Sequence, residues 1–478
     1  MQKEVNGQSR DKERNQNKER NQNTEQKQDK ELLNLEKREE RRKRRIRNQI
    51  ISYLVLAVLV VLIIVGVVAA ARLISGEKKR QQEDIQSSQS AAESIFQSEE
   101  VIQTPEPTPE VTELTPEQKL DSIVEEGISV MPLEDKVAGL FIVTPEAITG
   151  VSTAVQAGEG TQKALTKYAV GGIVYFEKNI RSREQITEML DNTELYTKYP
   201  IFLAVDEEGG SVSRVAKAGI GEKTASAAEI GAGGDTQAAY QTGTTIGGTL
   251  KELGFNLDFA PVADINTNAE NTEIGNRSFG SEPKTVADMV SQEVKGLQAQ
   301  GVSATLKHFP GLGQCGEDTH KGYVELNATI DQLREVEFLP FKSGISAGAD
   351  MVMMSHVAVS QITGKETSAS LTKLMVTDIL REELQFDNVI ITDAMNMKVI
   401  TKFYDADQAA VMAIEAGNDM ILMPDNFEQA FEGVLEAVKD GTLSESQIDE
   451  AAGRVLSVKI KRGILPESSK LFRHNEGK

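Results

Sequence analysis

Eight short runs of apolar, often β-branched residues recur between residues 138 and 424, and amphipathic stretches separate them. Within each run the apolar residues are continuous, which is typical of parallel strands that are buried on both faces. The stretches between the runs, such as TVADMVSQEVKGLQAQG and LTKLMVTDILREELQ, have the apolar spacing of helices. The runs are AGLFIV (138–143), GGIVYF (171–176), IFLAVD (201–206), FNLDFAPVADI (255–265), VSATLKHF (302–309), DMVMMSHV (350–357), NVIITDAM (388–395) and DMILMP (419–424).

Eight strand–helix units in about 350 residues predict an α/β fold, a (β/α)8 TIM-type barrel. A doubly wound open sheet is the alternative, but no Gly-rich nucleotide-binding loop follows the first run to support it. Catalytic groups of a barrel lie at the C-terminal ends of its strands. Several runs close on polar residues there: Asp206, Asp264, Lys307–His308, His356 and Asp393. Asp264 and His356 fit a structural role, such as a helix cap or a buried ion pair, equally well.

The first 118 residues differ from the rest of the chain. Residues 1–49 are rich in Gln, Asn, Lys, Arg and Glu, a composition that cannot bury enough surface to fold alone. Ile50 to Ala71 is a 22-residue run without a charge, and at 1.5 Å per residue it spans about 33 Å. We therefore expect a cytoplasmic tail at 1–49 and a single transmembrane helix at 50–73.

The flanks of this run set its expected orientation. The basic cluster KREERRKRRIR precedes the run, and only Arg72 and KKR (78–80) follow it, so the C-terminal part is expected outside the cell membrane. A cleaved signal peptide is the alternative, since Ala69–Ala71 offers small residues, but both the basic region and the apolar run are too long for one. Residues 74–118, with several Pro, Ser and Glu, are expected to form a disordered stalk. The barrel domain is predicted at 119–466, with a short tail at 467–478.

Charge and cysteine content exclude some classes of function. The first 80 residues carry a net charge of +9 and the remaining residues a net charge of −30. An outer part this acidic is not expected to bind nucleic acid through charge. The chain contains one cysteine, which excludes an internal disulfide, so the domain depends on its core.

One loop concentrates rare residues. KHFPGLGQCGEDTH (307–320) holds two of the four histidines and the single cysteine. This stretch resembles the KHFPG…D-(S/T)-H loop of glycoside hydrolase family 3, in particular its bacterial β-N-acetylglucosaminidase branch. Three further segments are similar to the family in order: VDEEGG (205–210), IGNRSFG (274–280) and ITDAMNM (391–397). The resemblance covers roughly residues 120–465.

The chain departs from the family in three respects. Leu312 stands where many members have His, although Leu also occurs there. TDAMNM replaces the more usual Asp-Asp-Leu-Ser-Met pattern, which keeps the aspartate and changes its neighbour. We expect no second domain after the eighth run, and in the β-glucosidase branch that domain supplies the acid/base carboxylate. The proton donor is therefore expected elsewhere.

The resemblance implies catalytic roles for three residues. Retaining glycoside hydrolysis needs a nucleophile on one face of the sugar and a proton donor on the other. The resemblance makes Asp393 the nucleophile and His320 the acid/base, held in one tautomer by Asp318. An imidazole titrates near neutrality without deep burial, which suits both donating and removing a proton.

The resemblance also implies that four residues bind the hydroxyls of the sugar: Asp206, Arg277, Lys307 and His308. Glu207 and Glu208 are expected at the pocket rim or in solvent. Cys315 is interpreted as an incidental thiol, and no metal or cofactor is expected.

The resemblance implies a membrane-anchored exo-β-N-acetylglucosaminidase that acts on cell-wall muropeptides or related glycans. A phosphorylase is an alternative, because an imidazole acid/base would repel phosphate less than a carboxylate does. A non-catalytic wall-binding protein on the same barrel belongs to a different class. The presence of both proton-transfer residues and the nucleophile argues against it.

Overall fold

The computed structural model describes residues 114–316, 322–364 and 366–465. Eight parallel strands form a closed barrel in the order β1-β10-β9-β8-β7-β6-β3-β2, and each arises from one of the eight apolar runs. The predicted barrel is thereby confirmed, and the open sheet is excluded. The barrel strands are β1 (Phe141–Val143), β2 (Gly172–Tyr175), β3 (Phe202–Val205), β6 (Leu257–Asp258), β7 (Ser303–Phe309), β8 (Met351–Met354), β9 (Val389–Ala394) and β10 (Met420–Leu422).

Successive residues of each strand pack into different layers. In β3, Phe202 and Ala204 belong to the cluster inside the barrel, whereas Leu203 and Val205 belong to the cluster beneath the helices. Side chains of a strand alternate between its two faces, so a strand buried on both faces must be apolar throughout. This is the physical reason why the runs are continuous.

Helices surround the barrel, and several of them begin at a side-chain cap. Thr236–Leu253 starts after the Asp235 cap and ends at Gly254, whose φ is 105°. The segment Leu374–Glu383 is π-helical, as the hydrogen bond from the Leu384 N–H to the Ile379 carbonyl shows. The α-helices are Pro116–Val130, Leu133–Ala138, Pro145–Thr149, Glu159–Lys167, Arg183–Tyr196, Arg214–Lys217, Ala227–Gly233, Thr236–Leu253, Pro283–Ala299, Ile330–Glu335, Phe338–Ser346, Ser360–Thr363, Lys398–Thr401, Ala406–Ala416, Phe427–Lys439 and Glu445–Lys461, and 3-10 turns lie at Glu177–Asn179, Gly275–Arg277 and Ala369–Leu371.

The fourth strand is much shorter than its apolar run. The run 255–265 yields only the two residues of β6, and Val262 then makes an isolated parallel bridge to Lys307. Pro261 has no N–H to donate to a ladder, which interrupts regular pairing at this point. In β7 the register shifts between Lys307 and Phe309, and the Lys307–His308 peptide bond is cis. These irregularities occur where the predicted site residues lie.

A short antiparallel hairpin, β4 (Glu207–Gly209) and β5 (Val212–Ser213), follows β3 at the same end of the barrel. Gly209 and Gly210 turn it, with φ values of 85° and 51° that an L side chain rarely adopts. The hairpin therefore places residues 206–214 beside the barrel mouth.

The domain begins slightly earlier than predicted. Pro116–Val130 starts at a capping box between Thr115 and Gln118, so residues 116–118, assigned to the stalk, form the first turn of a helix. This helix packs on Glu445–Lys461, since a Cβ atom on Gly453 would lie 3.5 Å from the side chain of Val124.

The predicted cytoplasmic tail, transmembrane helix and nearly all of the stalk lie outside the described residues, as does the tail 467–478, and they stay predictions. Of the helices in the described ranges, none has both the length and the apolar character needed to cross a membrane.

Candidate active site

A cavity of about 460 Å³ opens at the carboxyl ends of the strands. Five of the seven predicted site residues line it, although they are spread over nearly 190 residues of chain. They come from the end of β3, the turn Gly275–Arg277, β7 and β9. These five residues are Asp206, Arg277, Lys307, His308 and Asp393.

Lys307 lies at the centre of an ionic network. Its side chain is only 2% exposed, and its Nζ donates to Asp206 Oδ1 at 2.7 Å and lies 2.6 Å from Glu208 Oε1. Burial alone would lower the pKa of Lys307, but the charges of Asp206 and Glu208 outweigh it and raise the pKa. Lys307 is therefore charged, and Asp206, with a 20% exposed side chain, presents its carboxylate to the cavity.

Arg277 is held by the same glutamate. Its Nε and Nη2 donate to the two oxygens of Glu208 at 2.9 and 2.8 Å, a bidentate pair, and Nη1 donates to the Glu273 carbonyl at 3.1 Å. Burial would raise the pKa of Glu208, but Lys307 and Arg277 hold it well below its usual range. Glu208 thus bridges the two cations that we expected to bind sugar hydroxyls.

The expectation that Glu207 and Glu208 lie at the rim or in solvent is wrong, because both are buried. Glu207 accepts the N–H groups of Val215 at 2.7 Å and Ala216 at 3.0 Å, at the start of the helix Arg214–Lys217. Burial raises the pKa of Glu207, and these N–H groups act in the opposite direction. Glu207 therefore ties the hairpin to the helix, while Glu208 belongs to the site. The sequence signal that could have revealed their burial is their position directly after Asp206, at the end of a strand.

His308 is oriented by Asp264. Its Nδ1 lies 2.7 Å from Asp264 Oδ2, and the N–H of Leu312 donates to Asp264 Oδ1 at 2.6 Å. With the proton on Nδ1 donated to the carboxylate, Nε2 faces Arg277 Nη2 at 3.5 Å. From the sequence, a structural role for Asp264 was as well supported as a role in the site. In the structure, Asp264 orients His308 and does not itself line the cavity.

Asp393 projects from the end of β9 and is half-buried. Burial would raise its pKa, but the nearby His308 and the N–H of Ala394, which donates to Asp393 Oδ1 at 2.7 Å, hold the pKa below its ordinary value. A carboxylate kept ionised at the cavity wall can act as a nucleophile or stabilise a positive charge.

His356 fixes the strand end that carries Asp393. Its Nε2 lies 3.2 Å from the Ala394 carbonyl oxygen, and its Nδ1 lies 2.8 Å from Ser370 Oγ. Burial lowers the pKa of His356, so the neutral ring donates from Nε2 and accepts the serine hydroxyl at Nδ1. It has a positioning role, in line with the structural interpretation.

The predicted acid/base pair, Asp318 and His320, lies outside the described residues. Cys315, just before them, is buried. Within the described ranges, no group of three or more His, Cys, Asp or Glu side chains is placed to hold a metal ion.

Comparison with known proteins identifies a family that matches this chain. The family described as "Glycosyl hydrolase family 3 N terminal domain" matches residues 132–458. A beta-hexosaminidase of Stenotrophomonas maltophilia is 34% identical over 294 residues, which cover 60% of this chain and 85% of that protein. Beta-hexosaminidase A of Pseudoalteromonas piscicida is 30% identical over 333 residues, which cover 64% of this chain but only 55% of that protein.

A solved structure of a family 3 beta-N-acetylglucosaminidase from a Paenibacillus species is also similar to this chain. It has 34% sequence identity and a TM-score of 0.65, and the match covers 70% of this chain and 63% of that one.

Proposed function

Because this chain belongs to glycosyl hydrolase family 3, we propose that it is an exo-acting β-N-acetylglucosaminidase that removes terminal β-linked GlcNAc with retention of configuration. The observation that carries this proposal is the arrangement of Asp393 in one cavity with Asp206, Arg277, Lys307 and His308. The beta-hexosaminidase and beta-N-acetylglucosaminidase names of the similar proteins support the choice of sugar.

Asp393 serves as the nucleophile in this mechanism. Its carboxylate attacks the anomeric carbon and forms a glycosyl-enzyme while the leaving oxygen takes a proton. His320, oriented by Asp318, donates that proton and then removes one from the water that hydrolyses the intermediate. An ionised Asp393 is required for the first step, and its lowered pKa agrees with that requirement.

The remaining polar groups hold the terminal sugar. Asp206 accepts hydrogen bonds from hydroxyls distant from the cleaved bond, and Lys307, Arg277 and His308 complete the binding surface. Glu208 keeps Lys307 and Arg277 in fixed positions, so little side-chain entropy is lost when the sugar binds.

The same proposal includes a location and a source of substrate. The 22-residue apolar run anchors the chain in the cell membrane, with the N-terminus in the cytoplasm and the barrel outside. A tether confines the enzyme to glycans near the membrane, so we propose cell-wall muropeptides as its substrates.

The full-length chain, purified in detergent, tests the reaction on nitrophenyl β-GlcNAc with and without inorganic phosphate. In both conditions we expect release of GlcNAc, and NMR should show that the β-anomer forms first. Formation of GlcNAc 1-phosphate would make the protein a phosphorylase. Binding of GlcNAc oligomers with no turnover would instead indicate a non-catalytic glycan-binding protein.

A further inference from the structure

A buried carboxyl group lies against the turn that follows β7, at residues 308–312. Glu337 is only 4% exposed, and a Cβ atom on Gly311 would lie 2.7 Å from Glu337 Oε2, so the carboxyl group occupies the space beside this glycine. Gly311 closes the turn by donating its N–H to the His308 carbonyl at 2.8 Å. The proposed mechanism and the proposed sugar-binding surface make no use of Glu337, although it contacts the turn that carries His308.

The helix that follows Glu337 is packed on the same turn. Glu337 directly precedes the helix Phe338–Ser346. The rings of Phe338 and Phe341 in this helix both lie 5.1 Å, between centroids, from the ring of Phe309, which is the residue after His308. The carboxyl group is therefore held between its own helix and Gly311, and a change in its surroundings has to move one of them.

The surroundings of Glu337 suit a neutral acid and not a carboxylate. Its Oε2 atom is buried and, within the part of the chain that the structure describes, has no hydrogen-bond partner. A buried carboxylate oxygen without a donor is far more costly than the oxygen of a neutral acid. Burial, and secondarily the charge of Asp264, raises the pKa of Glu337 to about 8. The group is thus protonated at neutral pH and ionises under mildly alkaline conditions.

Asp264 connects Glu337 to the sugar-binding histidine. It lies 2.7 Å from His308 Nδ1 and accepts the N–H of Leu312 at 2.6 Å, and its charge acts on Glu337. Charged side chains on the helices packed around Phe338–Ser346 have no part in the pKa shift of Glu337; they include Glu293, Arg334, Glu335 and Lys342. An ionised Glu337 would therefore act against the carboxylate that holds His308.

We propose that the protonated Glu337 carboxyl group positions the turn at 308–312, and that its ionisation at alkaline pH displaces this turn and weakens the binding of the terminal sugar. Ionisation requires solvation of the carboxylate, and water reaches Oε2 only if Gly311 or the helix Phe338–Ser346 moves. Glu337 is a positioning residue, because it acts through His308. This inference rests on the proposed function, in which His308 contacts the sugar.

The test follows sugar binding and turnover as functions of pH in the full-length chain. If only the form with neutral Glu337 binds, the apparent Kd is the intrinsic Kd divided by the neutral fraction, so it should rise about 10-fold between pH 7 and pH 9. Calorimetry with GlcNAc measures this Kd, and KM for nitrophenyl β-GlcNAc should rise in parallel. The bound sugar favours the neutral form in return, so kcat should change much less over this range.

Two substitutions of Glu337 separate its charge from its volume. Glu337→Gln keeps the volume and cannot ionise, so it should bind GlcNAc as the wild type does at pH 7 and keep that Kd at pH 9. Glu337→Ala removes the contact with Gly311 and should raise Kd at both pH values.

Two control variants identify the ionising group. Glu335→Gln, an exposed neighbour, should keep the wild-type pH profile. Glu293→Gln should also keep it, and this variant matters because burial raises the pKa of Glu293 to about 8 as well. If neither Glu337 variant folds, the wild type and Glu293→Gln decide, since loss of the pH dependence in Glu293→Gln would assign it to Glu293.

The inference is overturned if the Kd of the wild type is constant between pH 7 and pH 9, if Glu337→Gln keeps the alkaline rise, or if Glu337→Ala binds GlcNAc as the wild type does. Hydrolysis of nitrophenyl β-GlcNAc with a constant Kd leaves the proposed function intact and removes this inference. Binding of GlcNAc that weakens above pH 8 only while Glu337 is present, without any hydrolysis, supports the positioning role and removes the proposed activity.

Discussion

Asp393 is the residue on which the proposed chemistry depends most. Replacing it with Asn is nearly isosteric and removes the nucleophilic charge, so Asp393→Asn should lower kcat on nitrophenyl β-GlcNAc by about 10³-fold or more, while circular dichroism and Tm show a folded protein. Asp121→Asn, on the exposed face of the first helix, is the matched control and should behave as wild type. A rate within about tenfold of wild type, a barrier change of only about 1.4 kcal/mol, would remove Asp393 from this role.

The role of His320 can be tested by comparing substrates that differ in their leaving group. A nitrophenolate leaves without protonation, whereas a sugar alkoxide needs an acid. His320→Ala should therefore slow the hydrolysis of a GlcNAc disaccharide by about 10²–10⁴-fold and affect the nitrophenyl glycoside much less. Steady-state kinetics on both substrates measure the difference. Equal losses on the two substrates would point to a structural role for His320.

We expect Glu337 to make the stability of the protein depend on pH. Its carboxyl group is buried, and a Cβ atom on Gly311 would lie only 2.7 Å from Glu337 Oε2. Burial, and secondarily the charge of Asp264, raises the pKa of Glu337 to about 8. The neutral acid is favoured in the folded protein, so its contribution is complete below about pH 4.5, the pKa of an unfolded glutamate, and is lost as the pH rises towards 8.

Glu337→Gln should accordingly flatten the fall in Tm between pH 5 and pH 8, because the amide does not ionise. Glu335→Gln, an exposed neighbour, should leave the profile of the wild type unchanged. Parallel Tm profiles for wild type and Glu337→Gln would show that this carboxyl group does not ionise with an altered pKa.

Among the elements, two helices are held at an unusually close distance by glycines. A Cβ atom on Gly243, in Thr236–Leu253, would lie 2.5 Å from the Glu293 carbonyl in Pro283–Ala299, and one on Gly296 would contact the Tyr240 carbonyl. Along the chain, one of these helices precedes β6, the shortest barrel strand, and the other follows it.

Gly243→Ala should destabilise the domain by about 1–3 kcal/mol, because the new methyl group meets a backbone carbonyl that cannot move away alone. Gly248→Ala on the same helix is the matched control. Its Cβ would meet only the Gln300 amide oxygen at 3.8 Å, so the higher helix propensity of Ala should stabilise by up to about 1 kcal/mol. Urea unfolding measures both free energies. Equal effects of the two substitutions would refute close packing at Gly243.

For the whole molecule, the proposed anchored topology leads to a prediction about accessibility. Protease added to cells whose wall has been removed should release an active fragment cut within residues 74–118 and leave residues 1–49 protected, as an immunoblot for each end shows. If residues 74–118 form a flexible stalk, its span of about 35–40 Å would keep the barrel near the membrane. Mature protein free in the medium, beginning near residue 72, would show instead that the apolar run is a signal peptide.

The barrel and half of its site follow from local patterns. Continuous apolar runs indicate buried parallel strands wherever they occur, and parallel strands joined through helices all end on the same side. Asp206, Lys307 and Asp393 close three such runs, so their meeting in one cavity could be predicted without knowing a single distance. The apolar run at 255–265 predicted a strand that is longer than the observed one, because Pro261 interrupts the pairing of that strand.

The sequence by itself thus determined the eight strands and the residues at their carboxyl ends, since both depend on neighbours within a few positions. Only the tertiary structure decided how the charges pair. Glu207 and Glu208 are adjacent and chemically identical, yet side chains of successive residues in a strand point in opposite directions. Glu207 therefore meets backbone N–H groups, and Glu208 meets Arg277, 69 residues further along the chain. Such pairing depends on distances through space, which no local pattern encodes.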